Sequence, residues 1–224
     1  MKRTKLADRQ MPVYTKGEEI FNMVSHIVGG AMGILAIVLC AVFAGLNGDI
    51  YGVVSGCIFG ATMLVLYTSS SIYHGLKPNT FSKRVFQVID HCTIFILIAG
   101  TYTPIALCAI REVNTAVGWT LFGVIWGFAI IGIIFNSIDL KKYKKFSMIC
   151  YLVMGWLIVV KMGTLIDAVG MTGFWYLLSG GIAYTIGAVC YGLTKKKWMH
   201  SVFHVFCIIG SVLHFLFILF FIIL

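Results

Sequence analysis

Seven long apolar stretches divide the chain, and each is long enough to form a membrane-spanning helix. About 20 consecutive apolar residues are needed for a helix to cross roughly 30 Å of hydrocarbon. The stretches lack the short alternating segments that are typical of barrel strands. The pattern therefore predicts an all-α integral membrane bundle of seven transmembrane helices, near Ile20–Leu46, Tyr51–Tyr73, Val85–Ile110, Ala116–Phe135, Phe146–Ile166, Gly173–Leu193 and His200–Leu224.

Most charged residues lie in a leading segment and in short connections between the stretches, among them Asp139–Lys145, Asp167–Thr172 and Thr194–Trp198. We interpret residues 1–19 as a basic cytoplasmic tail, followed by a single transmembrane domain over residues 20–224. Composition agrees with this division, because 60% of the 224 residues are apolar and only 11% are charged. Soluble proteins carry about 25% charged residues, and a fold of this size cannot hide such a surplus from water. The first stretch is long enough to span and be retained, so we do not expect a signal peptide.

Fifteen of the 17 lysines and arginines fall in the tail and in alternate connections. Because basic residues concentrate on the cytoplasmic side, this bias places the amino terminus inside and the carboxyl terminus outside. The net charge of +9 is then explained by topology and anionic lipids, so we expect membrane lipids as partners and no nucleic acid. The oligomeric state stays open. The fifteen basic residues of the tail and of the alternate connections are Lys2, Arg3, Lys5, Arg9, Lys16, Lys77, Lys83, Arg84, Lys141, Lys142, Lys144, Lys145, Lys195, Lys196 and Lys197.

Small residues and one proline indicate how the helices pack. Glycines at four-residue spacing allow helix backbones to approach closely, and we expect packing within the bundle rather than dimerisation. Pro104 predicts an irregularity in the third stretch, because proline cannot donate a backbone hydrogen bond. The spaced glycines are Gly29/Gly33, Gly52/Gly56/Gly60 and Gly123/Gly127.

All six histidines lie within the apolar stretches or at their ends, where ionisable groups are costly and usually functional. With the orientation above, five of them and Asp90 share one depth near the cytoplasmic face. We expect His91 to be a residue of a helix end and His214 to be a hydrogen-bonded packing residue. For His26 the pattern leaves open a role beside the site and a capping or interfacial role at a helix end, since Glu19, Asn22 and His26 lie on one helical face. The five histidines near the cytoplasmic face are His26, His74, His91, His200 and His204.

The spacing of these residues indicates a metal site. His200 and His204 are one turn apart on one helix face, and His74 lies at the same depth. Zinc favours imidazole ligands, and a catalytic site keeps three protein ligands and an exchangeable water. Asp90 and Ser70, which lies one turn before His74, are placed to hold that water or orient a histidine. Haem is a further hypothesis, but the pair within one helix favours a single ion.

The segments Ser69–His74, Asp90–His91, Gly100–Pro104 and His200–His204 resemble those of the hemolysin III family, the bacterial branch of the progestin and adipoQ receptor family. The resemblance covers essentially the whole chain and extends to a superfamily of seven-helix hydrolases that includes alkaline ceramidases. It implies a multi-pass protein of the bacterial plasma membrane. It also implies that His74, His200 and His204 bind zinc while Ser70 and Asp90 hold the zinc-bound water.

The leading functional hypothesis is zinc-dependent hydrolysis of a lipid amide or ester, with Asp90 and Ser70 as catalytic residues. A non-enzymatic alternative is a zinc-stabilised sensor or regulator of membrane lipid state. Pore-forming cytolysis, suggested by the family name, has little support, because no charged stripe of a pore lining is present in the sequence.

Overall fold

The computed structural model describes residues 4–193 and 196–224, and within these residues the regular structure is entirely helical. The long helices are α1 (Lys16–Leu46), α2 (Ile50–Gly75), α3 (Phe81–Pro104), α4 (Thr115–Trp156), α5 (Met162–Gly192) and α6 (Met199–Ile218). Short helical segments complete the fold at Leu6–Asp8, Ile105–Ile110, Arg111–Val113, Leu157–Lys161 and Leu219–Ile223. The all-α prediction is confirmed for this part of the chain. Part of the predicted tail and of the connection before the last stretch lies outside the described residues, namely Lys2, Arg3, Thr194 and Lys195.

Five helical stretches of the described residues are long and apolar enough to cross a membrane. They are Lys16–Leu46, Ile50–Gly75, Phe81–Val113, Thr115–Gly192 and Met199–Ile223. The first three and the last contain predicted spans. The three remaining predictions fall within the single stretch Thr115–Gly192.

The stretch Thr115–Gly192 is not one straight rod, because its chain reverses at Asp139. Asp139 has extended backbone angles (φ −159°, ψ 93°), and its Oδ1 accepts from the backbone N–H groups of Lys141 and Lys142, both at 3.1 Å. This is helix N-capping, in which a side-chain oxygen takes the unpaired amides of the first turn. Asn136 Nδ2 lies 3.2 Å from Tyr151 Oη, although these residues would stand about 22 Å apart along a straight helix.

A second reversal lies between Trp156 and Thr185. Trp156 Nε1 donates to Thr185 Oγ1 at 3.1 Å, so the intervening chain folds back on itself. Gly170 has non-helical angles there (φ 70°, ψ 172°), in a region that glycine adopts at little cost. We predicted loops at Asp139–Lys145 and Asp167–Thr172. That detail is wrong, because the chain stays helical on both sides of Asp139 and Gly170.

The helices form a ring that closes between the first and the last. Helix α1 packs on α2, α2 on α3, α3 on α4 and α5 on α6, and α6 returns to α1. At Gly33 of α1 an added Cβ would lie 2.7 Å from the backbone N of Leu64 and 3.0 Å from the carbonyl O of Gly60. Glycine packing inside the bundle is thus confirmed for α1 and α2. Gly123 and Gly127 would meet nothing within 4 Å in the described chain.

Helix α3 becomes irregular where Pro104 predicts it. The helix passes directly into a π-helical segment, Ile105–Ile110. Thr103 Oγ1 donates back to the Ala99 carbonyl at 2.8 Å, as hydroxyl groups near a helix proline commonly do.

The amino-terminal segment crosses the end of the bundle at which α1 begins. The Thr4 N–H donates to Asp139 Oδ2 at 2.7 Å, and Arg84 Nη1 donates to the Ala7 carbonyl at 2.6 Å. At the opposite end Asn47 Nδ2 donates to the Ile223 carbonyl at 3.2 Å. The described amino-terminal segment and the carboxyl terminus therefore lie at opposite ends of the bundle.

Candidate metal centre

Three buried histidines from two helices converge near the end of the bundle that the amino-terminal segment crosses. His74 lies in the last turn of α2, and His200 and His204 lie in the first turns of α6. Ring nitrogens of all three lie within 4.8 Å of one another. Their exposed fractions are 3%, 6% and 2%. The set predicted from the HxxxH spacing and from His74 is thus brought together, and it could hold a metal ion.

The start of α6 is fixed by contacts to α1. The Thr15 side chain and Glu18 form a reciprocal capping box at the beginning of α1, which satisfies amides of the first helical turn. Glu18 Oε1 also accepts the backbone N–H of Trp198 at 2.6 Å. Trp198 directly precedes α6, so this bond sets where His200 enters the site.

The orientation of His74 is set by a carboxylate and a lysine. His74 Nδ1 lies 2.6 Å from Glu19 Oε2, and Lys83 Nζ donates to Glu19 Oε1 at 2.7 Å. An ionised carboxylate only accepts hydrogen bonds, so Nδ1 carries the proton. Nε2 is then the nitrogen with the free lone pair, and it is buried without a hydrogen-bond partner.

The separation of the two Nε2 atoms on α6 fits a tetrahedral ion. His200 Nε2 and His204 Nε2 lie 3.0 Å apart, close to the separation of about 3.3 Å that Zn–N bonds of about 2.0 Å require. The Nδ1 atoms of both rings are buried and have no hydrogen-bond partner among the described atoms. Buried polar atoms are nearly always satisfied by protein, water or ions. The unpartnered Nε2 of His74 fits a third ligand beside the two Nε2 atoms of His200 and His204.

Ser70 and Asp90, the predicted catalytic residues, line the cavity next to this centre. Ser70 lies one turn before His74, and its Oγ is buried without a partner. Asp90 enters from α3 with its Oδ2 3.3 Å from His91 Nδ1. Both predicted residues therefore reach the cavity that His200 and His204 also line.

The structure settles what the sequence left open for His26. Its ring stacks on that of His204 with centroids 3.8 Å apart and an angle of 20° between the planes. Both of its ring nitrogens are buried without a partner, and so are both polar side-chain atoms of Asn22 on the same helix face. His26 is thus part of the polar cluster rather than a capping or interfacial residue at a helix end.

The remaining two histidines differ from each other. His91 Nε2 lies 3.2 Å from Tyr191 Oη, and Nδ1 lies 2.9 Å from the Gln87 carbonyl. Because His91 also lines the cavity beside Asp90, it is a neighbour of the site and more than the helix-end residue we expected. His214 Nε2 lies 3.1 Å from the Leu177 carbonyl, which confirms its role as a hydrogen-bonded packing residue.

Tyr14 is a site residue that the sequence did not indicate. Its ring stacks on His200 with centroids 4.8 Å apart and an angle of 21°. It lies 5.7 Å from the His74 ring. Tyr14 precedes α1 in a segment without helical periodicity, so no spacing pattern could relate it to the histidines. Burial raises the pKa of Tyr14 above its ordinary value, and the ring is neutral over the physiological range.

An elongated cavity of about 160 Å³ extends from this cluster into the bundle. Its polar end is formed by Ser70, Asp90 and the rings of His200 and His204, and His214 lies at the other end. Between them the lining is mainly apolar, with contributions from Leu66, Ile94, Leu97, Ile98, Met148 and Leu152. A cavity of this kind suits an amphiphile with an apolar chain.

Comparison with known proteins agrees with the resemblance of the motifs. The profile of the family described as Haemolysin-III related matches residues 14–215. Hemolysin-3 of Bacillus cereus is 37% identical over 205 residues, which cover 92% of each chain. The hemolysin-3 homolog of Bacillus subtilis is 36% identical over 209 residues, covering 93% of this chain and 96% of the relative.

A more distant match relates the chain to animal proteins. The human monocyte to macrophage differentiation factor, a progestin and adipoQ receptor family protein, is 25% identical over 194 residues, or 80% of this chain and 75% of that protein. The family profile spans the helical bundle and every residue of the centre from Tyr14 to His204. This helical membrane protein therefore belongs to the hemolysin III family.

Proposed function

We propose that this chain spans the bacterial plasma membrane seven times, with its amino terminus in the cytoplasm. The reversals at Asp139 and between Trp156 and Thr185 support three crossings within Thr115–Gly192. Together with the four other apolar stretches, these give seven. The basic residues of alternate connections support a cytoplasmic location for the end at which the histidines lie.

We propose further that His74, His200 and His204 bind zinc. The observation that carries this proposal is the convergence of three buried imidazoles whose ring nitrogens lie within 4.8 Å of one another. Three neutral imidazoles are typical of zinc sites that retain an open position. The carboxylate of Glu19 behind His74 matches the outer partner that metal-bound histidines usually have.

The chemistry that suits the cavity is hydrolysis of a lipid amide or ester. Zinc, when bound, supplies a water of lowered pKa and a Lewis acid for the carbonyl oxygen. Asp90 accepts a proton from the attacking water, as a carboxylate within hydrogen-bond reach can. Ser70, whose buried hydroxyl lines the cavity together with Asp90, positions the water or the developing oxyanion. The apolar side chains that line the cavity, Leu66 and Leu152 among them, hold the acyl chain and exclude bulk water.

Metal content of the detergent-purified protein tests the first part. We expect about one zinc per chain by elemental analysis, and loss of that zinc in His200→Ala/His204→Ala. His214→Ala is the matched control, since it removes an imidazole from the same helix that bonds to Leu177 instead. A wild-type protein without metal, or a double variant that keeps its zinc, would contradict the proposal.

Release of fatty acid from lipid tests the second part. Zinc-loaded protein is incubated with amide-linked and ester-linked lipids in mixed micelles, and released fatty acid is quantified. Asp90→Asn should lower the rate by about 10²- to 10⁴-fold, the usual effect of losing a general base. The same substitution at exposed Asp167 should leave the rate unchanged.

A non-enzymatic role is the second candidate, because the centre joins chain segments that are far apart. His74 and His200 belong to helices separated by most of the sequence, so a bound ion would link α2 to α6. Metal-binding free energy then becomes folding free energy. Zinc binding that raises thermal stability without turnover of any amide or ester lipid would favour this sensor or regulator role.

A further inference from the structure

Glu19 connects the first three helices at the centre, through two hydrogen bonds. Its Oε2 faces His74 Nδ1 at 2.6 Å, and its Oε1 accepts from Lys83 Nζ at 2.7 Å. Given the proposed metal site, we infer that Glu19 is the positioning residue of this centre, fixing the tautomer and plane of His74, and that Lys83 holds Glu19 in place.

The two oxygens of Glu19 serve different partners, which limits its motion. Rotation of the carboxylate about its terminal bond would break the contact to His74 or to Lys83. The Lys83 ammonium is itself held by a second acceptor, the Leu76 carbonyl at 3.1 Å. Leu76 directly follows α2, so the lysine joins the end of α2 to the beginning of α3.

Burial makes this arrangement different from a surface ion pair. Lys83 is only 2% exposed, and the side chain of Glu19 is 16% exposed. Surface ion pairs contribute little because water and salt screen them, whereas a buried ammonium is tolerated only with charged or polar partners. Lys83 therefore holds Glu19 aligned with His74.

Neighbouring glutamates extend this positioning to both ligand-bearing helices. Glu18 accepts from the Trp198 N–H in front of α6, while Glu19 accepts from His74 at the end of α2. The first turn of α1 thereby places His74 relative to His200. Loss of Glu19 should weaken metal binding through His74 although Glu19 is not a ligand.

The decisive variant removes both charges. Glu19→Gln or Glu19→Met alone would leave the Lys83 ammonium buried and unpaired, which destabilises the fold. Glu19→Met/Lys83→Met replaces the pair by apolar side chains of similar length, a change that folds often tolerate. Zinc affinity is measured by chelator competition, and the site geometry by the visible absorption of the Co²⁺-substituted protein.

We expect Glu19→Met/Lys83→Met to bind zinc 10- to 100-fold more weakly, the usual effect of losing an outer partner of a metal-bound histidine. Its Co²⁺ spectrum should change as well. Glu19→Gln/Lys83→Met should regain part of the affinity, because the carboxamide oxygen can still accept from His74 Nδ1. Glu112→Met, at a residue whose side chain is 70% exposed, is the control and should bind like the wild type.

The outcomes separate this inference from the proposed function. Wild-type affinity and spectrum in Glu19→Met/Lys83→Met would overturn the positioning role while leaving the zinc site intact. Absence of metal from the wild type would overturn both. Should Glu19→Met/Lys83→Met fail to fold, Glu19→Ala/Lys83→Ala takes its place: weaker binding than in Glu19→Gln/Lys83→Met supports the role, and equal binding in these two variants overturns it.

Discussion

At the scale of single residues, Tyr14 is the side chain that covers the histidine cluster from the amino-terminal segment. Its ring lies nearly parallel to that of His200 and also reaches His74. Aromatic contacts of this kind contribute about 0.5–1.5 kcal/mol. Tyr14 therefore stabilises the amino-terminal segment over the two histidine rings, and we expect it to limit the access of water-soluble molecules to the centre.

Removal of this ring should speed metal loss. We expect Tyr14→Ala to lose zinc to excess chelator about two- to tenfold faster, which corresponds to the loss of one such aromatic contact. Tyr14→Phe keeps the ring and should lose zinc at the wild-type rate. The measurement is stopped-flow detection of the zinc–chelator complex, and equal rates for all three proteins would refute a covering role.

The histidines and Asp90 could be predicted from sequence because their spacing and depth follow from helical periodicity. Lys83 could not be predicted in the same way. It was counted among basic residues of a cytoplasmic connection, but it is nearly inaccessible and bonds to Glu19. The sequence alone does not show whether a lysine near the end of a membrane span contacts lipid headgroups or forms a buried ion pair. Only the packing of three helices makes that distinction.

At the scale of elements, α1 and α2 make the closest backbone contact through their glycines. Gly33 and Gly60 stand where an added methyl group would meet backbone atoms of the other helix at 2.6–3.0 Å. Backbone atoms cannot move aside as a flexible side chain can. This contact fixes α1, which carries His26, against α2, which carries His74.

Gly33→Ala should force the two helices apart. We expect the free energy of unfolding to fall by about 1–3 kcal/mol, as overpacking usually costs. Gly123→Ala is the matched control: it meets open space and should be neutral or stabilising by up to about 1 kcal/mol, because alanine favours helix. Thermal unfolding in detergent measures both, and similar midpoints would contradict the assigned difference.

The elements themselves were largely predictable, whereas two connections were not. The lysines after Asp139 read as a solvated loop, yet they form a helical turn capped by the Asp139 side chain. The single extended residue Asp139 is enough to reverse the chain. The sequence of a polar run does not show whether the run forms a loop or the first turn of a helix. Near Gly170 the positive φ of a single glycine likewise replaces the expected loop.

At the scale of the whole molecule, the bundle has two chemically different ends. The amino-terminal segment, the Asp139 turn and the three histidines of the candidate metal centre lie at one end, while Asn47 and Ile223 meet at the other. An odd number of crossings would separate the two termini across the membrane. The lone Arg111 belongs to the second end, where it stacks over Tyr51 at 3.9 Å.

Reporter fusions should show this polarity. Alkaline phosphatase fused after Leu224 should be active, because it folds only outside the cytoplasm, and green fluorescent protein fused there should be dark. Fusions that end at Asn79 should give the opposite pair of signals. A fluorescent carboxyl-terminal fusion in bacterial cells would contradict an outside carboxyl terminus and the odd number of spans.

The bond between Thr4 and Asp139 has a practical consequence for handling the protein. Any tether attached ahead of Thr4 pulls on a segment that is linked to the Asp139 turn and that carries Tyr14 across the histidines. Force applied through a surface linkage at that end would therefore be transmitted to the segment that covers the site. Attachment after Leu224, at the far end of the bundle, leaves the centre undisturbed during purification and immobilisation.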